Sequence, residues 1–131
     1  MFYSKILVGA LMLMSFTTYQ KAGSSSSDNM GQRVYEKSAY RIVDTTGFYL
    51  YSIDKLVQGE KIARPGTVYY FSVTANGPLQ ELTLVNLERA FAGNARFRYS
   101  LEGQFRSDKG LMAYDGVLRM YKVKYLYEQS L

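Results

Sequence analysis

The apolar residues of this 131-residue chain change their spacing near Thr83, and this change limits the possible folds more than any other feature. From Val68 to Thr74 the sequence VYYFSVT consists almost entirely of strand-forming residues. After Thr83, apolar side chains recur every three or four residues, as they do along one face of a helix. This order predicts an α+β domain, with an N-terminal antiparallel sheet of about four strands followed by three or four short C-terminal helices packed on one face.

Turn-forming residues divide the N-terminal half of the chain. The predicted turns are DTTG at 44–47, RPG at 64–66 and NG at 76–77. The predicted strands are residues 39–43, 48–54, 68–74 and 79–83.

Residues that commonly cap helices precede each predicted helix. These are Thr83, Asn94, Ser107 and Asp115. The segment after Asp115 is ambiguous, because Tyr121, Val123 and Tyr125 alternate as they would in a strand. Leu118, Tyr121 and Tyr125 also share one helical face, and we favour a helix there.

The first 22 residues are typical of a secretory signal peptide. Lys5 precedes an apolar run at 6–16, and small residues follow near Ala22. The run is shorter than the ~20 apolar residues that a membrane-spanning helix needs. Cleavage after Ala22 or Ser24 would give a periplasmic or secreted bacterial protein without a membrane span. A buried N-terminal helix or an interfacial anchor is the alternative.

Composition excludes several classes of protein. The chain has no Cys, His or Trp, so it holds no disulfide, no Cys/His zinc site, no haem ligated by His or Cys, and no His-dependent triad. Few apolar groups occur in residues 23–32, which predicts a flexible Ser-rich leader before a single domain at 33–131. We therefore expect a non-catalytic binding or structural module without a cofactor.

Basic residues and tyrosines are interleaved in the C-terminal half. Residues 89–124 hold eight Arg and Lys against three Asp and Glu. The candidate partner-binding residues are Arg96, Arg98, Arg106, Tyr121, Lys122 and Lys124. They would contact an envelope protein or an anionic polysaccharide. A solvated polar helix face has the same pattern, and so does an intracellular nucleic-acid-binding protein, although an export signal disfavours nucleic acid.

Tyrosine is unusually frequent, with 13 in the chain. Tyr49, Tyr51, Tyr69 and Tyr70 lie on predicted strands. Tyrosines of this kind either form a binding surface or fill the core of a domain that lacks Trp.

Carboxylates are the remaining candidates for acid–base chemistry, and they leave a small carboxylate-dependent hydrolase as a third possibility. The candidates are Glu81, Glu88, Asp108 and Asp115. No spacing among them singles out a catalytic pair. Asp108 and Asp115 instead resemble residues that start helices.

A pattern in residues 67–128 resembles one found in small exported proteins of the Bacteroidota. The matching strand is TVYYF at 67–71, and the matching C-terminal residues are Glu81 to Thr83, Asn86, Leu87, Ala90, Phe91, Asn94, Phe97, Leu101, Gln104 to Asp108, Tyr114, Asp115 and Met120 to Val123. The resemblance implies a periplasmic or surface location and a helical C-terminal half. It implies no catalytic or ligand-binding residues.

Overall fold

The structure, a computed structural model, describes residues 30–59 and 61–131. The predicted signal peptide at 1–22 and residues 23–29 of the predicted leader lie outside the described residues. An antiparallel sheet comes first and helices follow, which confirms the predicted α+β class. The strands are β1 (Gln32–Tyr35), β2 (Ser38–Asp44), β3 (Tyr49–Gln58), β4 (Ala63–Ser72), β5 (Gln80–Glu81), β6 (Tyr114–Asp115) and β7 (Met120–Tyr121). The helices are α1 (Leu84–Ala90), α2 (Ala95–Gln104), a 3₁₀ helix (Asp108–Met112) and α3 (Lys122–Gln129).

The main sheet has five strands in the order β1-β2-β3-β4-β5, and β6 pairs with β7 in a separate ribbon. β1 is the strand that the sequence analysis did not separate from β2. Its return to β2 runs through Glu36 and Lys37, whose φ angles of 47° and 72° are those of a tight hairpin turn. Neither residue is a Gly or Asn, so the usual turn signal is missing.

The predicted turn at Pro65 is wrong, because β4 begins at Ala63 and Pro65 pairs with Leu56 of β3. The Leu82 N–H donates to the Tyr69 carbonyl at 2.9 Å, so this side of β4 faces β5. Alternate residues of an antiparallel strand direct their main-chain groups to the same side. Pro65 therefore lacks its N–H on the edge that extends past the short β5, where a proline is tolerated.

Two of the predicted helix caps are confirmed. The Thr83 hydroxyl accepts the Asn86 N–H at 3.0 Å and starts α1. The Asn94 side-chain oxygen accepts the Phe97 N–H at 3.0 Å and starts α2. Ser107 makes no capping bond and precedes only the 3₁₀ helix.

The helix predicted after Asp115 begins only at Lys122. The Asp115 carboxylate accepts the N–H groups of Val117 and Leu118, but the helical turn that it starts ends at Arg119, whose φ of 59° is left-handed. Because β7 pairs with β6 directly afterwards, the intervening segment is a hairpin turn instead of a helix.

The core lies between one face of the sheet and the helices. Its centre is a group of aromatic rings whose centroids lie 5.2 to 6.5 Å apart, at Phe48, Phe71, Phe91, Phe97 and Tyr127. Edge-to-face and tilted contacts of this kind add to the stabilisation from burial alone. Phenylalanine and one tyrosine thus fill the space that Trp would occupy in many cores.

Candidate functional site

The helices α2 and α3 carry most of the predicted partner-binding residues. Arg96, in the first turn of α2, donates to the carbonyl of Gln129 at the end of α3, at 3.4 Å. Gln104, at the end of α2, lines the same cleft as Lys122 at the start of α3. The two helices are therefore antiparallel neighbours, and Arg96 and Lys122 lie at opposite ends of the pair.

A cleft of about 230 Å³ opens at the Lys122 end of this helix pair. It is lined by Gln104, Asp115, Leu118, Lys122, Tyr125 and Leu126. The Lys122 side chain is exposed beside the apolar Leu118 and Leu126. The cleft thus places the Lys122 ammonium and the Asp115 carboxylate beside an apolar wall.

Arg98 lies within α2 and contacts its neighbours, whereas Arg106 lies just after the helix. Arg98 donates to the Ala92 carbonyl at 3.2 Å and lies over the Tyr99 ring, with 5.7 Å between the guanidinium carbon and the ring centroid. Residues two positions apart on a helix do not face the same way, so Arg98 and Arg96 point to different sides of α2. Arg106 follows the end of α2 and is exposed.

Tyr121 is half-buried at the base of the β6–β7 ribbon. Its ring meets that of Tyr114 edge to face, with centroids 5.1 Å apart. Burial raises the pKa of Tyr121, and its neighbours Tyr69, Asp44 and Tyr114 add to the rise. Tyr121 is thus a packed residue with limited access to a partner.

Lys124 lies outside the exposed surface altogether, since its side chain is fully buried. The ammonium donates to the Asp44 carboxylate at 2.9 Å and to the carbonyls of Thr46 and Phe48. These three acceptors match the three N–H bonds of an ammonium group. Burial lowers the pKa of Lys124, and its hydrogen bond to Asp44 opposes that shift. Lys124 therefore ties α3 to the β2–β3 turn and cannot contact a partner.

The burial of Lys124 also corrects the predicted helix face at Leu118, Tyr121 and Tyr125. The residues that α3 buries are Val123 and Lys124. The helix begins four residues after Leu118, which is itself partly exposed in the preceding turn. The buried face of α3 therefore differs from the predicted face at Leu118, Tyr121 and Tyr125.

The exposed bases of α2 and α3 have no carboxylate partner in the described part of the chain. Within residues 30–59 and 61–131, ion pairs join Arg41 to Asp54 at 3.5 Å and Lys124 to Asp44. The nearby acidic residue Asp108 instead accepts the Leu84 N–H at 2.8 Å, at the start of α1. The positive charge of these helices is therefore not neutralised by local ion pairs.

The candidate acid–base residues are spread over several elements. Glu81 and Asp108 border a second cleft of about 350 Å³ between β4, β5 and the 3₁₀ helix. Glu88 lies on α1, and Asp115 holds the β6–β7 turn. Among the described residues, no three acidic side chains are grouped closely enough to bind a metal ion.

The strand tyrosines lie on both faces of the sheet. The Tyr69 ring packs against the core, whereas Tyr70 pairs with Tyr51 in register and meets Tyr40 edge to face at 5.1 Å. Arg33 of β1 reaches across the curled sheet and donates to the buried Tyr51 hydroxyl at 3.2 Å. These contacts favour a packing role for the strand tyrosines over an open binding surface.

Two features of this region were missed by the sequence analysis. One is the pairing of Lys124 with Asp44, and its signal is the position of Lys124 beside Val123 in an apolar helical stripe. The other is the exposed Val117-Leu118 pair in the β6–β7 turn, whose signal is an apolar dipeptide directly after the turn-forming Asp115-Gly116.

Comparison of the chain with protein-family models, curated proteins and solved structures gave no match. Across the residues that the structure describes, none of the helices has the length and apolar character needed to cross a bilayer.

Proposed function

We propose that this protein is an exported, non-catalytic binding or structural module of the bacterial cell envelope. It contacts an anionic or protein partner through a basic face, defined here as the exposed Arg96, Arg106 and Lys122. Arg98 points to another side of α2 and Lys124 is buried, so neither residue belongs to this face.

The observation that carries the proposal is that these exposed bases lie on, or directly after, two neighbouring helices and that, within the described residues, none of them pairs with a carboxylate. A cation that already pairs with a carboxylate offers little to a ligand, whereas an unpaired one attracts polyanions over a distance that salt shortens. An acidic envelope protein or an anionic polysaccharide fits both this charge and the location implied by a signal peptide.

Retention on a heparin column, which presents a sulfated polysaccharide, tests the basic face. The test variant carries Glu at the three bases of the face, Arg96, Arg106 and Lys122. The matched control carries Glu at three exposed bases of the sheet and its turns, Lys37, Lys61 and Arg64. Both variants lower the net charge of +5 equally, so they differ only in where the charge is lost.

We expect the wild type and the sheet control to elute at similar salt concentrations and the face variant to elute much earlier. If both variants eluted equally early, retention would depend on net charge alone, and the proposed basic face would be wrong. Failure of the wild type to bind at low salt would also contradict the proposal.

A further inference from the structure

The turn between β6 and β7 exposes an apolar tip. Val117 is 91% exposed and Leu118 is 44% exposed, although both are aliphatic. Isolated exposed apolar residues are common on protein surfaces. Two adjacent ones at the turn of a hairpin are less so, and their exposure leaves them available for contact with another surface.

Three N–H groups of this tip are already hydrogen-bonded within the turn. The Asp115 carboxylate accepts the N–H groups of Val117 and Leu118, each at 2.9 Å, and its carbonyl accepts the Arg119 N–H at 2.7 Å. Three consecutive N–H groups are therefore satisfied without water. An unsatisfied N–H is costly to move out of water, so this turn enters an apolar medium at a lower cost than an open loop.

Basic and aromatic side chains lie beside the apolar tip, together with the Asp115 carboxylate that holds the turn. Arg119 lies in the turn itself, and Lys122 shares a cleft with Leu118. Tyr114, which is 56% exposed, packs against Tyr121 at the base of the ribbon. Aliphatic tips with Lys, Arg and Tyr behind them are typical of segments that rest in the headgroup region of a bilayer.

We propose that the β6–β7 tip binds an anionic lipid surface, with Val117 and Leu118 entering the interface and Arg119 and Lys122 contacting lipid phosphates. This inference rests on the proposed function, because it names a lipid as the anionic partner and Lys122 belongs to the basic face. A stable protein interface needs ~800 Å² on each partner. Two aliphatic side chains at a hairpin turn supply far less apolar area, so the tip fits a bilayer better than a protein groove.

The absence of Trp from the chain allows a position-specific test. Val117→Trp places the only indole at the tip, and Val34→Trp places it on β1, where Val34 is 73% exposed. Each full-length variant is mixed with phosphatidylglycerol vesicles containing brominated lipid, and with phosphatidylcholine vesicles as the neutral comparison. Any membrane contact made by residues 1–29 is common to both variants.

We expect the emission of Val117→Trp to shift to the blue and lose intensity in the anionic vesicles, while that of Val34→Trp stays unchanged. Adding Lys122→Ser or Arg119→Ser should weaken the partitioning of Val117→Trp roughly five-fold each, because a basic residue near an anionic surface contributes about that factor. High salt should act in the same direction.

Three outcomes would overturn the lipid proposal. They are no quenching of Val117→Trp in the anionic vesicles, equal quenching of both indoles, and a response only to host envelope vesicles that contain protein. Heparin retention that depends on the basic face, combined with any of these, would leave the proposed function standing. Quenching confined to Val117→Trp, combined with heparin retention that does not depend on the basic face, would support the lipid proposal and contradict the proposed function.

Discussion

Replacing Lys124 with Met should destabilise the domain by about 3–5 kcal/mol, which is the usual cost of breaking a buried ion pair. The substitution keeps an unbranched apolar side chain but removes the ammonium. The Asp44 carboxylate and the carbonyls of Thr46 and Phe48 then lose their shared donor. Since domains of this size are stable by ~5–15 kcal/mol in total, the loss is a large share of the whole.

Urea unfolding followed by far-ultraviolet circular dichroism measures this loss. With an m value of about 1.5 kcal/mol/M, a loss of ~3 kcal/mol lowers the midpoint by roughly 2 M. Lys122→Met is the matched control, because Lys122 lies two residues away on the same helix and is exposed. We expect that control to stay within about 0.5 kcal/mol of the wild type.

The two Met variants decide between a buried and an exposed Lys124. Equal midpoints would refute the burial of Lys124 and would return this residue to the partner-binding surface. Adding Asp44→Asn to Lys124→Met should recover part of the loss, because a neutral amide is less costly to leave unpaired than a carboxylate. No recovery would mean that the lost carbonyl contacts, and not the unpaired carboxylate, dominate the effect.

Three further predictions concern other parts of the chain. Gly47→Ala should cost about 1–3 kcal/mol in urea unfolding, since Gly47 has a φ of 75° and an added Cβ would lie 2.9 Å from the Tyr127 ring, whereas Gly93→Ala meets nothing within 4 Å and should be nearly neutral. The raised pKa of Tyr121 adds stability that is complete below pH 10 and is lost as the pH rises through the folded-state value, so the wild type should lose stability above pH 10 faster than Tyr121→Phe. Intact mass after fractionation of the host should show a chain starting near Gly23 or Ser25 in the periplasm or medium; an unprocessed cytoplasmic chain would contradict export and reopen nucleic acid as a partner.

Local signals in the sequence predicted those parts of the fold that depend on neighbouring residues. Thr83 and Asn94 start helices because their side chains reach N–H groups three residues ahead. The DTTG segment forms the β2–β3 turn because Asp44 accepts the Thr46 N–H at 2.8 Å and Gly47 adopts a positive φ. Each of these helix starts and turns depends on contacts within a few residues, so the local sequence pattern is sufficient to predict it.

The parts that were missed depend on contacts between distant residues. The RPG segment predicts a turn because Pro65 fixes φ before a conformationally permissive Gly, and only the shortness of β5 leaves an open edge that tolerates Pro65 within β4. The sequence predicts too early a start for α3, because Asp115 does cap a turn but the pairing of β7 with β6 ends that turn. Neither the length of β5 nor the β6–β7 pairing has a local signal.

The candidate site likewise depends on a contact between distant residues that the local sequence does not predict. Counting charges over residues 89–124 treats every Lys and Arg as available, yet the ammonium of Lys124 is bound to Asp44, 80 residues away in the sequence. A lysine flanked in a helix by the buried Val123 and the core residue Tyr127 can stay charged only if the fold supplies acceptors for all three of its N–H bonds. The β2–β3 turn supplies them, because its carboxylate and two carbonyls converge on one point. A basic residue inside an apolar stripe should therefore be matched to such a turn before it is counted as part of a binding surface.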